Sequence, residues 1–411
     1  MRKTTSPFFS RNYGGLSPGQ IDFLLPYLGT TPGPVLDPMA GQAHYLSRLT
    51  WEGRRVWIGD INPGPLLLAT LRDPHVLMNA APLVRWLSAA VDRLRNATPQ
   101  PKPAYCEDWI PKGVREQLQS YVHQLRLDSL GDVCQPGFWE ATQKQRFAIA
   151  IPLLAARRLT CYTASDNLTW LKKGGLQREY DVYHPLVDAL EQWRRYAAEA
   201  LPSIASTKGA LHVQYMNCED GAFGDCRQPQ LIVTSPPYAN RLDYTRLWAP
   251  EIEMLSSMSG LDSLAVKARQ IGTNVILGKS PSKRDLGSLP EFIRDVLNQI
   301  REDTRHKASA SYYYPFFLNY AVSMTRAFTS LGKELARGGQ IVVFVRDTLR
   351  KDILFRAGDL VEHVLRRSGV NKTVEKRAVL IRHHVGLMRQ NTQAGIHGLA
   401  QREWWIVMKK L

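Results

Sequence analysis

Two stretches decide the fold: Pro34-Val35-Leu36-Asp37-Pro38-Met39-Ala40-Gly41-Gln42 and Arg55-Val56-Trp57-Ile58-Gly59-Asp60. Each opens with a short apolar run that ends in an acid. The first leads through small residues into Tyr45-Leu46-Ser47-Arg48-Leu49, and the second leads into an apolar helical segment over 63–71. A short apolar run bounded by a turn reads as a buried strand, and the segments after them carry helical spacing. Two successive strand–turn–helix units predict an α/β protein with a parallel, doubly wound sheet. Ligands of such sheets sit at the C-terminal strand ends, where these acids stand.

Outward from there the rhythm breaks. Residues 72–205 read as mainly helical, with a Pro-rich joint at 98–103, helices over 114–127, 148–158 and 185–200, and a loop over 160–175. Strands resume at 211–215 and 230–234. A polar stretch at 280–288 reads as a loop. A helix over 316–336 runs into Arg337-Gly338-Gly339, a helix-end and turn signal, ahead of a buried strand at 340–345. A helix at 358–369 and strands near 374–382 and 403–409 complete the chain. The expected organisation is one α/β domain made of 1–72 and 208–411, interrupted by a helical insertion at 73–207 and closed by an antiparallel tail.

The 411 residues hold 53 Lys and Arg against 37 Asp and Glu, a net charge of +16. With 22% charged and 44% hydrophobic residues the composition is globular, which excludes a mostly disordered chain. A strongly cationic protein is drawn to polyanions, nucleic acid first and anionic membrane surfaces second. The longest apolar runs, 147–156 and 66–71, fall short of the roughly 20 residues a membrane span needs. The basic start Met1-Arg2-Lys3 leads into Ser-Pro-Phe-Phe and not into an apolar signal core. Cysteines at 106, 134, 161, 218 and 226 form neither a Cys-x-x-Cys pair nor a zinc-spaced cluster, so no metal is expected. Free thiols in a reducing cytoplasm, where the protein would associate with the nucleoid, is the plain reading.

Thr234-Ser235-Pro236-Pro237-Tyr238, directly after an apolar strand, carries the most chemistry. The doubled proline removes two backbone donors and holds the chain extended, presenting the carbonyl before each proline as an acceptor. Ser235 adds a hydroxyl and Tyr238 a flat aromatic face. Together they suit a planar ring bearing an amino group: Tyr238 stacks, while Ser235 and a backbone carbonyl accept from the amine.

This segment resembles motif IV of the S-adenosylmethionine-dependent DNA amino-methyltransferases, and its serine resembles the cytosine-N4 group; the adenine-N6 group more often has Asp or Asn there. The run Ala239-Asn240-Arg241-Leu242-Asp243-Tyr244-Thr245-Arg246 is similar to the residues directly after that motif in cytosine-N4 enzymes. Asp37, Pro38, Met39, Ala40 and Gly41 resemble the family's motif I, Asp-Pro-Phe-x-Gly-x-Gly, with Met39 for Phe and Ala43 for the second Gly. Asp60 is similar to the motif II acid whose carboxylate takes the ribose hydroxyls, with Ile61 packing on adenine; an N-cap ahead of Pro63 is the other reading of Asp60. Asp220 resembles the motif III acid, with Glu219 its competitor. The segment at 8–15, including Tyr13, is similar in placement to motif X, and a hydrophobic staple is as good a reading of it. The resemblance implies a Rossmann-like class I methyltransferase sheet with an antiparallel C-terminal hairpin, S-adenosylmethionine as cofactor with Thr234 beside it, and Ser235, Pro236, Pro237 and Tyr238 as the catalytic segment.

The motif order, with 194 residues between Gly41 and Ser235 (235 − 41), resembles the arrangement in which a target-recognition region lies between cofactor and catalytic motifs. Arg157, Arg158, Lys172 and Lys173 stand among Tyr162 and Trp170, the mixture that phosphate grip and base contact require; a solvated charged face is the alternative. Lys267 and Arg269 open a second cationic stretch, and Arg241 adjoins the catalytic segment. Double-stranded DNA is the implied partner, with a cognate restriction endonuclease as a further one. The expected reaction is methylation of the N4 amine of a flipped cytosine. Adenine-N6 or RNA-base methylation, or a non-catalytic DNA-binding subunit, are the other readings.

Overall fold

The computed structural model describes residues 16–95, 105–163, 171–177, 181–239, 244–273, 281–305, 308–380 and 402–411. The longer strands are β1 (Val35–Asp37), β2 (Arg55–Asp60), β3 (Ala210–Tyr215), β4 (Leu231–Thr234), β5 (Gln340–Arg346), β6 (Lys372–Leu380) and β7 (Arg402–Lys409). The helices include α1 (Pro18–Thr30), α2 (Pro63–Thr70), α3 (Gln143–Leu159), α4 (Tyr183–Ala200), α5 (Ala249–Ser259), α6 (Lys283–Ser288), α7 (Tyr314–Glu334) and α8 (Ala357–Arg367). The chain forms two compact units. One draws its described residues from 40–215 and 244–266, the other from 16–39, 216–239 and 267 onward.

The second unit holds strands in the order β1-β4-β5-β7-β6. β1 pairs parallel with β4, Val35 opposite Leu231, and β4 pairs parallel with β5, Leu231 opposite Gln340. β7 then runs antiparallel to β5, and β6 antiparallel to β7. This is the Rossmann-like α/β arrangement with an antiparallel C-terminal hairpin that the strand–turn–helix pattern and the resemblance lead one to expect. The run Ile341-Val342-Val343-Phe344-Val345 is wholly buried, as suits a strand covered on both faces. Each such side chain contributes roughly 1.5–3 kcal/mol by leaving water. α7 and α8 pack on each other, and α8 also lies on β5 and β7. The Gly pair makes a turn: α7 ends at Glu334, Gly338 takes φ +75°, and a Cβ on Gly339 would stand 2.9 Å from the Ala336 carbonyl oxygen.

In the first unit β2 pairs parallel with β3, from Arg55 opposite Ala210 to Asp60 opposite Tyr215. α2, α4 and α5 pack against α3. α3 starts at a capping box: the Thr142 hydroxyl accepts from the Gln145 N–H while the Gln145 side chain accepts from Thr142. Leu66, Leu67, Ala148, Ala150 and Trp193 are buried here.

Three expectations are corrected. The stretch 280–288 contains the helix α6, whose N-cap Ser282 forms a capping box with Asp285; local capping outweighs the helix-poor composition. The segment 160–175 contains a small antiparallel pair, Tyr162–Thr163 with Lys172–Lys173. Cys106 and Cys161 are joined as a disulfide across 55 residues, where the cysteine spacing reads as thiols. Backbone contacts that sequence spacing does not reveal bring those loops together: the Cys161 N–H donates to the Trp109 carbonyl at 2.6 Å. Among the described residues no helix is long and apolar enough to cross a membrane.

Candidate functional site

In the second unit the parallel register of β1 and β4 puts Asp37 and Thr234 at the same, C-terminal, edge of the sheet. From β1 the chain turns at once. The Asp37 carboxylate accepts from the Met39 N–H at 3.1 Å, and the Cys218 thiol donates to the Pro38 carbonyl at 3.2 Å. From β4 the chain continues into Ser235-Pro236-Pro237-Tyr238, with Ser235 and Tyr238 half-buried. The prolines leave that segment few backbone donors of its own, and α7 holds it from below: the fully buried Tyr320 donates its hydroxyl to the Pro237 carbonyl at 3.0 Å. Thr234 is wholly buried, and its hydroxyl has no hydrogen-bond partner among the described residues.

The two candidate acids after β3 separate clearly. Asn217 organises the turn, accepting from the Glu219 N–H at 3.1 Å and donating to the Asp220 carboxylate at 2.7 Å. Glu219 is half-buried and lies 3.6 Å from Arg326 of α7, which is also paired with Asp285 at 2.8 Å. Burial pushes the Glu219 carboxyl up, while Ser323 and Arg326 pull it down. Asp220 is exposed. Glu219 is therefore committed to internal structure, and Asp220 is the acid presented to solvent.

In the first unit the loop entering from Met39 closes on β2. The Ala40 N–H donates to the Gly59 carbonyl at 2.9 Å, and the Gly41 N–H donates to Asp60 Oδ2, also at 2.9 Å. Gly41 has φ +52°, and the space its Cβ would fill is open. The other Asp60 oxygen accepts from the Asn62 N–H at 2.8 Å. The N-cap of α2 is Asn62, whose side chain accepts from the Gly64 N–H at 3.1 Å with Pro63 at the first helical position. That assigns capping to Asn62 and frees Asp60 from it. Burial pushes the Asp60 carboxyl up to about 6, against the lowering effect of the Asn62, Gly41 and Ile61 N–H groups. Each Asp60 oxygen has further acceptor capacity, and Ile61 is half-buried beside it, so a vicinal diol with an attached flat ring fits these residues.

The basic residues divide by environment. Arg157 is turned inward: its guanidinium pairs with Glu251 at 2.9 Å and donates to the Leu247 carbonyl, with side chains 17% and 6% exposed. Arg158 pairs with Asp188 at 2.6 Å on the surface. Lys172 and Lys173 are exposed on their short strand, and Lys173 lines a cleft of about 430 Å³ with Arg115, Trp109 and Glu253. Arg269 is exposed and Lys267 half-buried on the helix Ser263–Arg269. Tyr13, with the segment 8–15, and Arg241 lie outside the described residues. Sequence reasoning passed over Tyr320, Asn62 and Arg326, because each acts through a partner distant in the chain or through a cap that either of two residues could supply. It also passed over Arg72, whose one available signal was a cation directly after the apolar run 66–71.

No family model matches the chain, and no curated protein matches it. A solved structure, the rRNA methyltransferase aviRa from Streptomyces viridochromogenes, aligns over 96% of this chain and 88% of its own, at 12% identity and a TM-score of 0.29.

Proposed function

We propose that this protein is an S-adenosylmethionine-dependent amino-methyltransferase that modifies the N4 amine of cytosine in double-stranded DNA. The observation that carries the reading is Ser235-Pro236-Pro237-Tyr238 at the C-terminal end of a buried parallel strand, with its backbone pinned by Tyr320.

When bound, S-adenosylmethionine supplies a methyl group made electrophilic by its sulfonium charge. On the motif resemblance, Asp60 would take the ribose hydroxyls with Ile61 on the adenine face, and Asp220 is the acid of the motif that meets the adenine amine. By the same resemblance Asp37, Pro38, Met39, Ala40 and Gly41 are the residues of the cofactor loop, and Thr234 is a further cofactor-binding candidate. Tyr238 would stack on the flipped cytosine. The exocyclic amine is a poor nucleophile because its lone pair is delocalised into the ring. Ser235 and the Pro236 carbonyl accept hydrogen bonds from it and draw that lone pair out of conjugation, and the proton the nitrogen sheds on methylation leaves to solvent. The Tyr320–Pro237 bond fixes those acceptors in advance, so positioning and charge complementarity supply the rate without a covalent intermediate on the protein. Among the basic residues, Arg158, Lys172, Lys173, Arg241, Lys267 and Arg269 are the candidates for DNA backbone contact.

The test of substrate class is a side-by-side assay with radiolabelled methyl donor on duplex DNA, single-stranded DNA and tRNA. Duplex DNA should accept label well above the other two. Preferential labelling of tRNA would replace the DNA reading with an RNA one.

A further inference from the structure

Arg72 is 1% exposed, one of the largest fully buried side chains, and it stands just past the end of α2. Its backbone is anchored on both sides: its N–H donates to the Ala69 carbonyl at 3.0 Å, and its carbonyl accepts from the Trp51 indole at 3.0 Å. Its guanidinium reaches back thirty residues to the loop after β1, donating to the Gln42 backbone carbonyl and, at 3.3 Å, to the Gln42 side-chain oxygen. The same guanidinium also donates to the Tyr196 hydroxyl of α4.

Gln42 lies between two residues with left-handed backbone, Gly41 at φ +52° and Ala43 at φ +48°. Glycine adopts that region freely, whereas alanine is strained there and stays only when its surroundings hold it. The turn is closed by the Ala43 N–H donating to the Ala40 carbonyl at 2.8 Å. It also aims the Gly41 N–H at Asp60.

We propose that Arg72 is a positioning residue for the cofactor loop. Its buried guanidinium grips the Gln42 carbonyl, keeps Ala43 in the left-handed region that glycine would occupy unaided, and so sets the Gly41–Asp60 contact. The role in cofactor binding rests on the reading that this loop takes S-adenosylmethionine; the clamp itself does not.

The test uses the full chain with Arg72→Lys, which keeps the charge but loses the fork, Arg72→Lys combined with Ala43→Gly, and Tyr196→Phe, which removes one hydrogen bond to the guanidinium. By calorimetric titration with S-adenosylmethionine, Arg72→Lys should weaken binding about tenfold or more and Tyr196→Phe about threefold. Adding Ala43→Gly to Arg72→Lys should recover most of the loss, because glycine holds the turn without the clamp. A merely structural arginine would lower the melting temperature and gain nothing from a distant glycine. Amide hydrogen exchange over residues 40–47, without ligand, separates the two premises. Faster exchange in Arg72→Lys and Tyr196→Phe alongside a wild type that does not bind the cofactor keeps the clamp and sinks the cofactor reading. Unchanged exchange in both variants, or no recovery from Ala43→Gly, overturns the clamp.

Discussion

Asp60 concentrates a conflict between stability and binding. Its carboxyl moves from 3.8 to about 6 in the fold, chiefly by burial. An acid whose folded pKa is raised contributes stability that is fully present below the unfolded value, near pH 4, and lost as pH rises through about 6. At neutral pH the ionised form costs the fold on the order of 3 kcal/mol before water screens it. Asp60→Asn should therefore stabilise the protein by about 1–2 kcal/mol at pH 7.5 and much less at pH 4.5, measured by denaturant unfolding at both. The same variant should bind S-adenosylmethionine at least tenfold more weakly, and wild-type affinity should fall as pH drops below about 6. Equal stability of variant and wild type at both pH values would contradict the burial argument. Ser235→Ala should cut turnover far more than DNA affinity; equal loss of both would mean that the hydroxyl holds DNA instead of the amine. The acid at the end of β2 was legible in the sequence because it closes an apolar run. Its role was not, because Asp60 and Asn62 both stand where a cap for α2 could be, and only the side-chain directions assign the cap to Asn62.

Among elements, α3 and α5 are tied by Arg157 and Glu251, 94 residues apart. Removing one partner strands a buried charge, so Arg157→Met should destabilise the protein by about 3–5 kcal/mol, read as a lower denaturation midpoint at unchanged slope. A loss below about 1 kcal/mol would show that water already screens the pair. Arg157 and Arg158 are neighbours in sequence, yet successive helical residues point in different directions: one meets Glu251 in the interior and the other Asp188 at the surface. Charge pattern alone cannot distinguish them. α6 shows the opposite case. Its Ser282-x-x-Asp285 box was written in the sequence, but the flanking Pro and Gly read as loop. α4 and α7 were legible to within two residues because burial sets their period, whereas α3 begins five residues earlier than its apolar stretch, at the Thr142 capping box. Cys106 and Cys161 were not, since their pairing depends on contacts between distant loops.

For the whole molecule, the net charge of +16 acquires a task under the proposed function: gripping a duplex while one base is presented for methylation. A protein that neutralises about six phosphates loses roughly a thousandfold in DNA affinity between about 50 and 200 mM salt. DNA binding should fall on that scale in filter binding or anisotropy, while affinity for S-adenosylmethionine changes less than about threefold. A flat salt response would detach the charge from DNA binding. β1 and β2 were readable from the apolar runs that end in acids, and the pair β6 and β7 from the two strand-like stretches after the last helix. Most direct for the central claim is mass spectrometry of nucleosides from duplex DNA incubated with the protein and S-adenosylmethionine. N4-methylcytosine should appear with wild type and be lost with Ser235→Ala; N6-methyladenine or 5-methylcytosine in its place, or no methylated base, would contradict it.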